Sequence, residues 1–193
     1  MKQLIGHPLS LGLIIWGVFA SGVKAIPGDS VTNVEAWIQA HPTLRPAPTE
    51  SLVVNRVDTP ARRFTFRAMI FPVSGMAADG IELGGIIRTE QIMLVDTVDG
   101  VTANRLEESL RAIYDAVIYN DYRRARVLHS YPAGEGVALG EADVMRQGEL
   151  REGDRFGYWV DLTGAPGSFA YNGTITVFLK EDLPALQAQL ESR

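Results

Sequence analysis

The chain has 193 residues, of which 46% are hydrophobic and 21% charged, with a formal net charge of −5 and no cysteine. This composition is typical of a globular protein and argues against wholesale disorder. The lack of cysteine excludes disulfides, thiolate metal sites and thiol nucleophiles. The negative net charge argues against nucleic acid as a partner, because phosphate backbones would be repelled.

The N-terminal segment predicts export. A positively charged start precedes an apolar run over residues 9–23, and small residues allow signal-peptidase cleavage after Ala20 or Ala25. The run is broken by glycines and is shorter than the ~20 apolar residues that a membrane-spanning helix needs. We therefore predict a signal peptide over residues 1–25 and one soluble domain over residues 26–193, in the periplasm, a comparable lumen or the extracellular space. An uncleaved membrane anchor is the alternative.

Hydrophobic periodicity predicts an α+β domain with an antiparallel or mixed sheet of about five to seven strands and helices packed on one face. The predicted strands are residues 51–57, 62–71, 85–97, 124–130, 155–162 and 169–179. The predicted helices are about residues 30–40, 103–121 and the C-terminal stretch from 182. The last two strands are expected to form a hairpin.

The helix over about 103–121 is predicted to be the longest. Thr102 is its expected N-cap, and Leu106, Leu110, Ile113 and Val117 form one apolar stripe. By contrast, the glycine- and charge-rich residues 133–153 predict a loop with one short edge strand near Val144. The strand over 85–97 has apolar residues on both faces near its end, which favours a central, buried position.

Recognisable catalytic motifs are missing from the sequence. The two histidines outside the predicted signal peptide, His41 and His129, are far apart in the chain. Neither a serine-nucleophile motif nor a phosphate-binding loop is present. We therefore predict no catalytic residue, no cofactor and no metal site.

Carboxylates provide the one chemical alternative. Asp96 and Asp99 follow a predicted strand, and further carboxylates lie in the glycine-rich loops at Asp79, Glu82, Glu135 and Glu141. Two carboxylates across a cleft could act as acid and base in a hydrolase, and oxygen ligands at a turn could bind calcium. A solvated turn at Asp99 explains the pattern equally well.

Two features could bind a partner. Arg123, Arg124 and Arg126 form a basic cluster after the main helix, and Trp159 lies on the opposite strand face from Phe156 and Tyr158. The sequence thus favours an exported, non-enzymatic binding or accessory protein whose expected partner is another protein. Membrane contact is expected only if the signal segment stays uncleaved. The alternative function is a carboxylate-dependent hydrolase that acts on an extracytoplasmic polymer.

Overall fold

A computed structural model describes residues 27–74, 85–131, 137–139 and 142–192. The predicted signal peptide lies outside these residues. The helices are α1 (Val31–Ala40), α2 (Ala103–Ile113), α3 (Ala116–Arg124) and α4 (Leu183–Glu191), with a 3-10 turn at Lys180–Asp182 before α4. The strands are β1 (Val53–Thr59), β2 (Arg62–Met69), β3 (Thr89–Asp96), β4 (Arg126–Tyr131), β5 (Val137–Leu139), β6 (Ala142–Glu152), β7 (Phe156–Gly164) and β8 (Ala170–Leu179).

Seven strands form one antiparallel sheet in the order β1-β2-β3-β8-β7-β6-β4, and β5 pairs with β6. The α+β class is confirmed, as is the predicted hairpin of the last two strands, which are β7 and β8. The predicted cap of α2 is present, since Thr102 accepts a hydrogen bond from the N–H of Arg105, and Ser30 caps α1 in the same way. None of the helices in the described ranges is long and apolar enough to cross a membrane.

The helices lie on both faces of the sheet, so the prediction that they share one face is wrong. The larger core lies between the sheet and α1, α2 and α3, and includes Phe66, Ile92 and Leu110. The smaller core forms on the other face, where α4 packs on Leu150 and Phe178. We call these the helix-covered face and the α4 face.

A buried ion pair anchors α4 to the sheet. Arg88, just before β3, is 4% exposed, and its guanidinium bonds both carboxylate oxygens of Asp182, at 2.6 and 3.2 Å. Glu181 accepts a further bond from the same guanidinium. This bidentate geometry fixes the start of α4 at the end of β8, from where the helix runs towards β4.

The predicted long helix over 103–121 is also wrong, because the chain breaks between α2 and α3. Tyr114 adopts an extended conformation, and its hydroxyl donates to the buried Glu90. Asp115 then caps a new helix by accepting bonds from the N–H groups of Val117 and Ile118. A long-range hydrogen bond and a local cap together replace the continuous helix.

The predicted loop over 133–153 is in large part the 11-residue strand β6, which pairs with β4 and β7. Three of its charged residues, Arg146, Arg151 and Glu152, have partners on neighbouring elements. Arg146 bonds Asp161, and the Arg151 guanidinium lies 4.9 Å from the centre of the Tyr122 ring. The polar sequence therefore follows from cross-strand pairing.

Candidate functional site

The best candidate site is the part of the α4 face that lies beyond α4. Two cross-strand rows and two further side chains form this surface, which we call the open face. The register aligns one row of Asn55, Thr65, Met93, Thr174 and Asp161. The second row holds Val57, Arg63, Val95, Asn172, Thr163 and Arg146, and the two further members are Arg67 and Gln91.

Accessibility distinguishes the open face from the covered one. Ile92 and Ile175, on the helix-covered face, are 1% and 0% exposed. Met93 and Val95, which lie on the open face of β3, are only half-buried. The prediction that both faces of β3 are buried near its end is therefore wrong, although β3 does have a strand on each side.

The side chains at one end of the open face are ordered by hydrogen bonds. Arg146 donates to one oxygen of Asp161 at 2.9 Å, and the Tyr131 hydroxyl donates to the other at 2.6 Å. Trp159 Nε1 donates to the same hydroxyl at 2.9 Å. Burial and the hydrogen bond to Asp161 raise the pKa of Tyr131, so its hydroxyl remains a donor.

Gly148 makes this network sterically feasible. A β-carbon at this position would collide with the Tyr131 hydroxyl and with the carbonyl oxygen of Val160. The glycine in β6 therefore lets the Tyr131 side chain cross the strand to reach Asp161. The close approach of the Tyr131 side chain to the β6 backbone therefore explains the glycine at position 148, which does not lie in a loop.

Trp159 belongs to this network. Its ring is half-buried against the smaller core beside α4, and its N–H group already has an acceptor. As predicted, it lies on the opposite face from Tyr158, which is in the larger core. Its visible role is to position Tyr131 at the border of the open face.

The opposite side of the open face is basic. Arg63 and Arg67 are exposed on β2 and make no ion pair or hydrogen bond with any described residue. Arg62, which points to the other face, instead pairs with Asp96 and Asp99. A shallow groove of about 430 Å³ runs beside Arg63 and is lined by Asn55, Val57, Arg63, Thr65, Met93 and Val95.

The predicted arginine cluster is only partly assembled. Arg123 and Arg124 line a second groove of about 460 Å³ with Val117 and Asn120, which we call the α3 groove. Arg126 lies outside this groove and pairs with Glu152 at 2.6 Å.

Nearby groups compensate part of the charge in the cluster. The Arg124 guanidinium is 4.0 Å from Asp154, and that of Arg123 lies 6.0 Å from the centre of the Tyr119 ring. Because acidic residues already face Arg124 and Arg126, the cluster has less free positive charge to offer an anionic partner than three arginines suggest.

The carboxylates at the end of β3 stabilise a turn. Asp96 is 2% exposed and accepts bonds from the N–H groups of Asp99 and Val98, at 2.9 and 3.0 Å. It also pairs with Arg105 and Arg62, at 3.0 and 3.3 Å. The bond from the Asp99 N–H is the main cause that lowers the pKa of Asp96 to about 2. The other carboxylates considered, at 79, 82, 135 and 141, lie outside the described residues.

The two histidines lie in unrelated surroundings. His41 follows α1; its Nε2 lies 2.9 Å from the carbonyl oxygen of Ile113, and its Nδ1 accepts backbone N–H bonds. His129 lies on β4 beside Tyr131. Within the part of the chain that the structure describes, no three histidine or carboxylate side chains are placed to hold a metal ion.

A buried carboxylic acid lies on the helix-covered face. Glu90 is completely buried on β3, and its Oε2 accepts a 2.6 Å bond from Tyr114. Its Oε1 has no hydrogen-bond partner among the described residues. Burial is the main cause that raises the pKa of Glu90 to about 7, and the nearby Asp29 adds to it, whereas the bond from Tyr114 lowers it. The core therefore holds a titratable group near neutral pH.

Arg63, Thr65 and Arg67 lie on one face of β2, and nothing in the sequence marks that face as a site. Alternation along β2 gives this placement, since Phe64, Phe66 and Ala68 occupy the other face. The hydrogen-bond network of Tyr131, Asp161 and Arg146 could not be predicted from the sequence of any single strand, because it depends on how β4, β6 and β7 align. Comparison with known families and proteins gives no further guide, since no family model, curated protein or solved structure matches this chain.

Proposed function

We propose that the protein is an exported, non-enzymatic binding protein that recognises another protein through the open face. The proposal of export is based on the N-terminal pattern of charge, apolar run and small residues. The observation that supports binding is the row Asn55–Thr65–Met93–Thr174–Asp161. It crosses five strands of the sheet and is at least partly exposed, whereas Ile92 and Ile175 in the adjacent row on the helix-covered face are buried.

The composition of the open face fits a protein partner. Apolar side chains, Met93, Val95 and Val57, lie beside amides and hydroxyls, with arginines at both ends. Protein interfaces are likewise enriched in Met and Arg, and fully exposed surfaces hold more Lys and Glu. The alternative of a carboxylate-dependent hydrolase has no support among the described residues, since Asp96 is committed to two arginines.

A matched pair of tryptophan variants tests the location of the binding surface. Val57 is 65% exposed in the groove of the open face, and Val117 is 40% exposed in the α3 groove. Val57→Trp should fill the first groove and weaken partner binding at least about tenfold, the effect of losing a moderate hot spot. Val117→Trp should leave binding unchanged.

The measurement is affinity capture from the compartment where the protein accumulates, with quantitative mass spectrometry of wild type and both variants. The proposal predicts a protein that wild type and Val117→Trp retain and Val57→Trp loses. Equal recovery by all three proteins, or loss with Val117→Trp alone, would contradict it. Circular dichroism of each purified variant separates a local effect from unfolding.

A further inference from the structure

We propose that the open face binds an acidic, extended segment of the partner protein, with Arg63 and Arg67 holding its carboxylates. This inference rests on the proposed function. It specifies the chemistry of the partner, which the sequence did not reveal.

Positive charge is concentrated on the open face of an otherwise acidic chain. The whole chain carries a net charge of −5. The open face, however, holds three arginines, at positions 63, 67 and 146, and one carboxylate, Asp161. A carboxylate oxygen of Asp161 lies 2.9 Å from the Arg146 guanidinium and neutralises its charge. The positive charges of Arg63 and Arg67 therefore remain uncompensated by the described residues. A cationic face on an acidic protein favours an anionic partner and disfavours the symmetric pairing of two open faces.

The spacing of the two arginines on β2 matches that of side chains along an extended polypeptide. Arg63 and Arg67 are four residues apart on β2, which places them on the same face about 13 Å from each other. An extended polypeptide also repeats its side chains on one side every second residue. Carboxylates at positions i and i+4 of such a segment therefore match both guanidinium groups, and each can accept a bidentate pair of hydrogen bonds.

The lining of the groove favours a polypeptide over a phosphate polymer. Val57, Met93 and Val95 line the groove beside Arg63. An extended polypeptide can place apolar side chains against these three residues and acidic side chains against the arginines, whereas a phosphodiester backbone carries no apolar side chains.

The test uses a fluorescein-labelled poly-L-glutamate peptide as the probe and fluorescence anisotropy as the readout. Wild type should bind the probe, and binding should weaken as ionic strength rises, because exposed charges are screened. The double variant Arg63→Glu/Arg67→Glu should bind at least about tenfold more weakly, since each lost ion pair becomes a repulsion. The matched control Arg123→Glu/Arg124→Glu changes the same charge on α3 and should bind like wild type.

Three results would overturn the inference: no binding of poly-L-glutamate, equal loss in both double variants, or tighter binding of a single-stranded oligonucleotide than of the peptide. Arg63→Gln/Arg67→Gln, which removes the charges without reversal, should give an intermediate loss. The result is separable from the proposed function. If poly-L-glutamate fails to bind while Val57→Trp still loses the native partner, the surface assignment stands and only the acidic chemistry is wrong.

Discussion

Replacing Asp121 by alanine is expected to lower the free energy of unfolding by about 4 kcal/mol, because several buried donors would lose one shared acceptor. Asp121, on α3, is 3% exposed. It accepts bonds from the N–H of Asp154 and the hydroxyl of Tyr158, both at 2.8 Å. It also accepts longer bonds of 3.4 Å from the N–H groups of Arg155 and Phe156. One carboxylate thus ties α3 to the turn between β6 and β7.

The control for this variant is Asp154→Ala, which removes a carboxylate from the turn itself. The Asp154 side chain is 83% exposed and lies 4.0 Å from Arg124, so its loss should change stability by less than about 1 kcal/mol. Urea unfolding followed by circular dichroism gives both values. If Asp121→Ala were no less stable than Asp154→Ala, the assigned role of the α3 carboxylate would be wrong.

Glu90→Gln is expected to make the protein more stable than wild type at pH 8, by on the order of 3 kcal/mol, and to change stability little at pH 4.5. The folded state raises the pKa of Glu90 from 4.5 to about 7. Below pH 4.5 the carboxyl is protonated in both the folded and unfolded states. Between pH 4.5 and 7 only the folded state keeps the proton, so wild type loses stability as pH rises. Above pH 7 the loss is complete.

The measurement is urea unfolding of wild type and Glu90→Gln at several pH values from 4.5 to 8. Burial lowers the pKa of His41, which contributes the opposite slope below pH 6.5. That contribution is common to both proteins and cancels in their difference. Glu107→Gln is the matched control, because Glu107 also accepts a bond from a tyrosine, Tyr119, at a partly exposed site. A difference between Glu90→Gln and wild type that stayed constant with pH would refute this reading of the buried acid.

Local patterns predicted those parts of the fold that depend on neighbouring residues. The Thr102 cap and the stripe of Leu106, Leu110 and Ile113 identified α2, and all three apolar residues are buried. The predicted stripe also included Val117, which is 40% exposed on a separate helix. The break combines a local cap at Asp115 with the bond between Tyr114 and Glu90, and this bond could not be predicted because its partners are 24 residues apart in the chain.

The candidate site also depends on contacts between residues that are far apart in the chain. Alternation on β2 placed Arg63 and Arg67 on one side of the strand, but whether a helix covers that side depends on where α4 is anchored. The anchor is the ion pair between Arg88 and Asp182, 94 residues apart in the chain. Trp159 was a reasonable candidate by composition, yet its half-buried position follows from α4 and Tyr131. Tertiary pairing therefore decides which polar face is accessible.

The most direct test of the open face as the binding surface is site-specific photo-crosslinking in cells. A benzophenone side chain replaces Asn55 on the open face in one variant and Asn120 in the α3 groove in the other, both exposed asparagines. We predict a crosslinked adduct to another protein from position 55 and none from position 120. An adduct from position 120 alone would contradict the account.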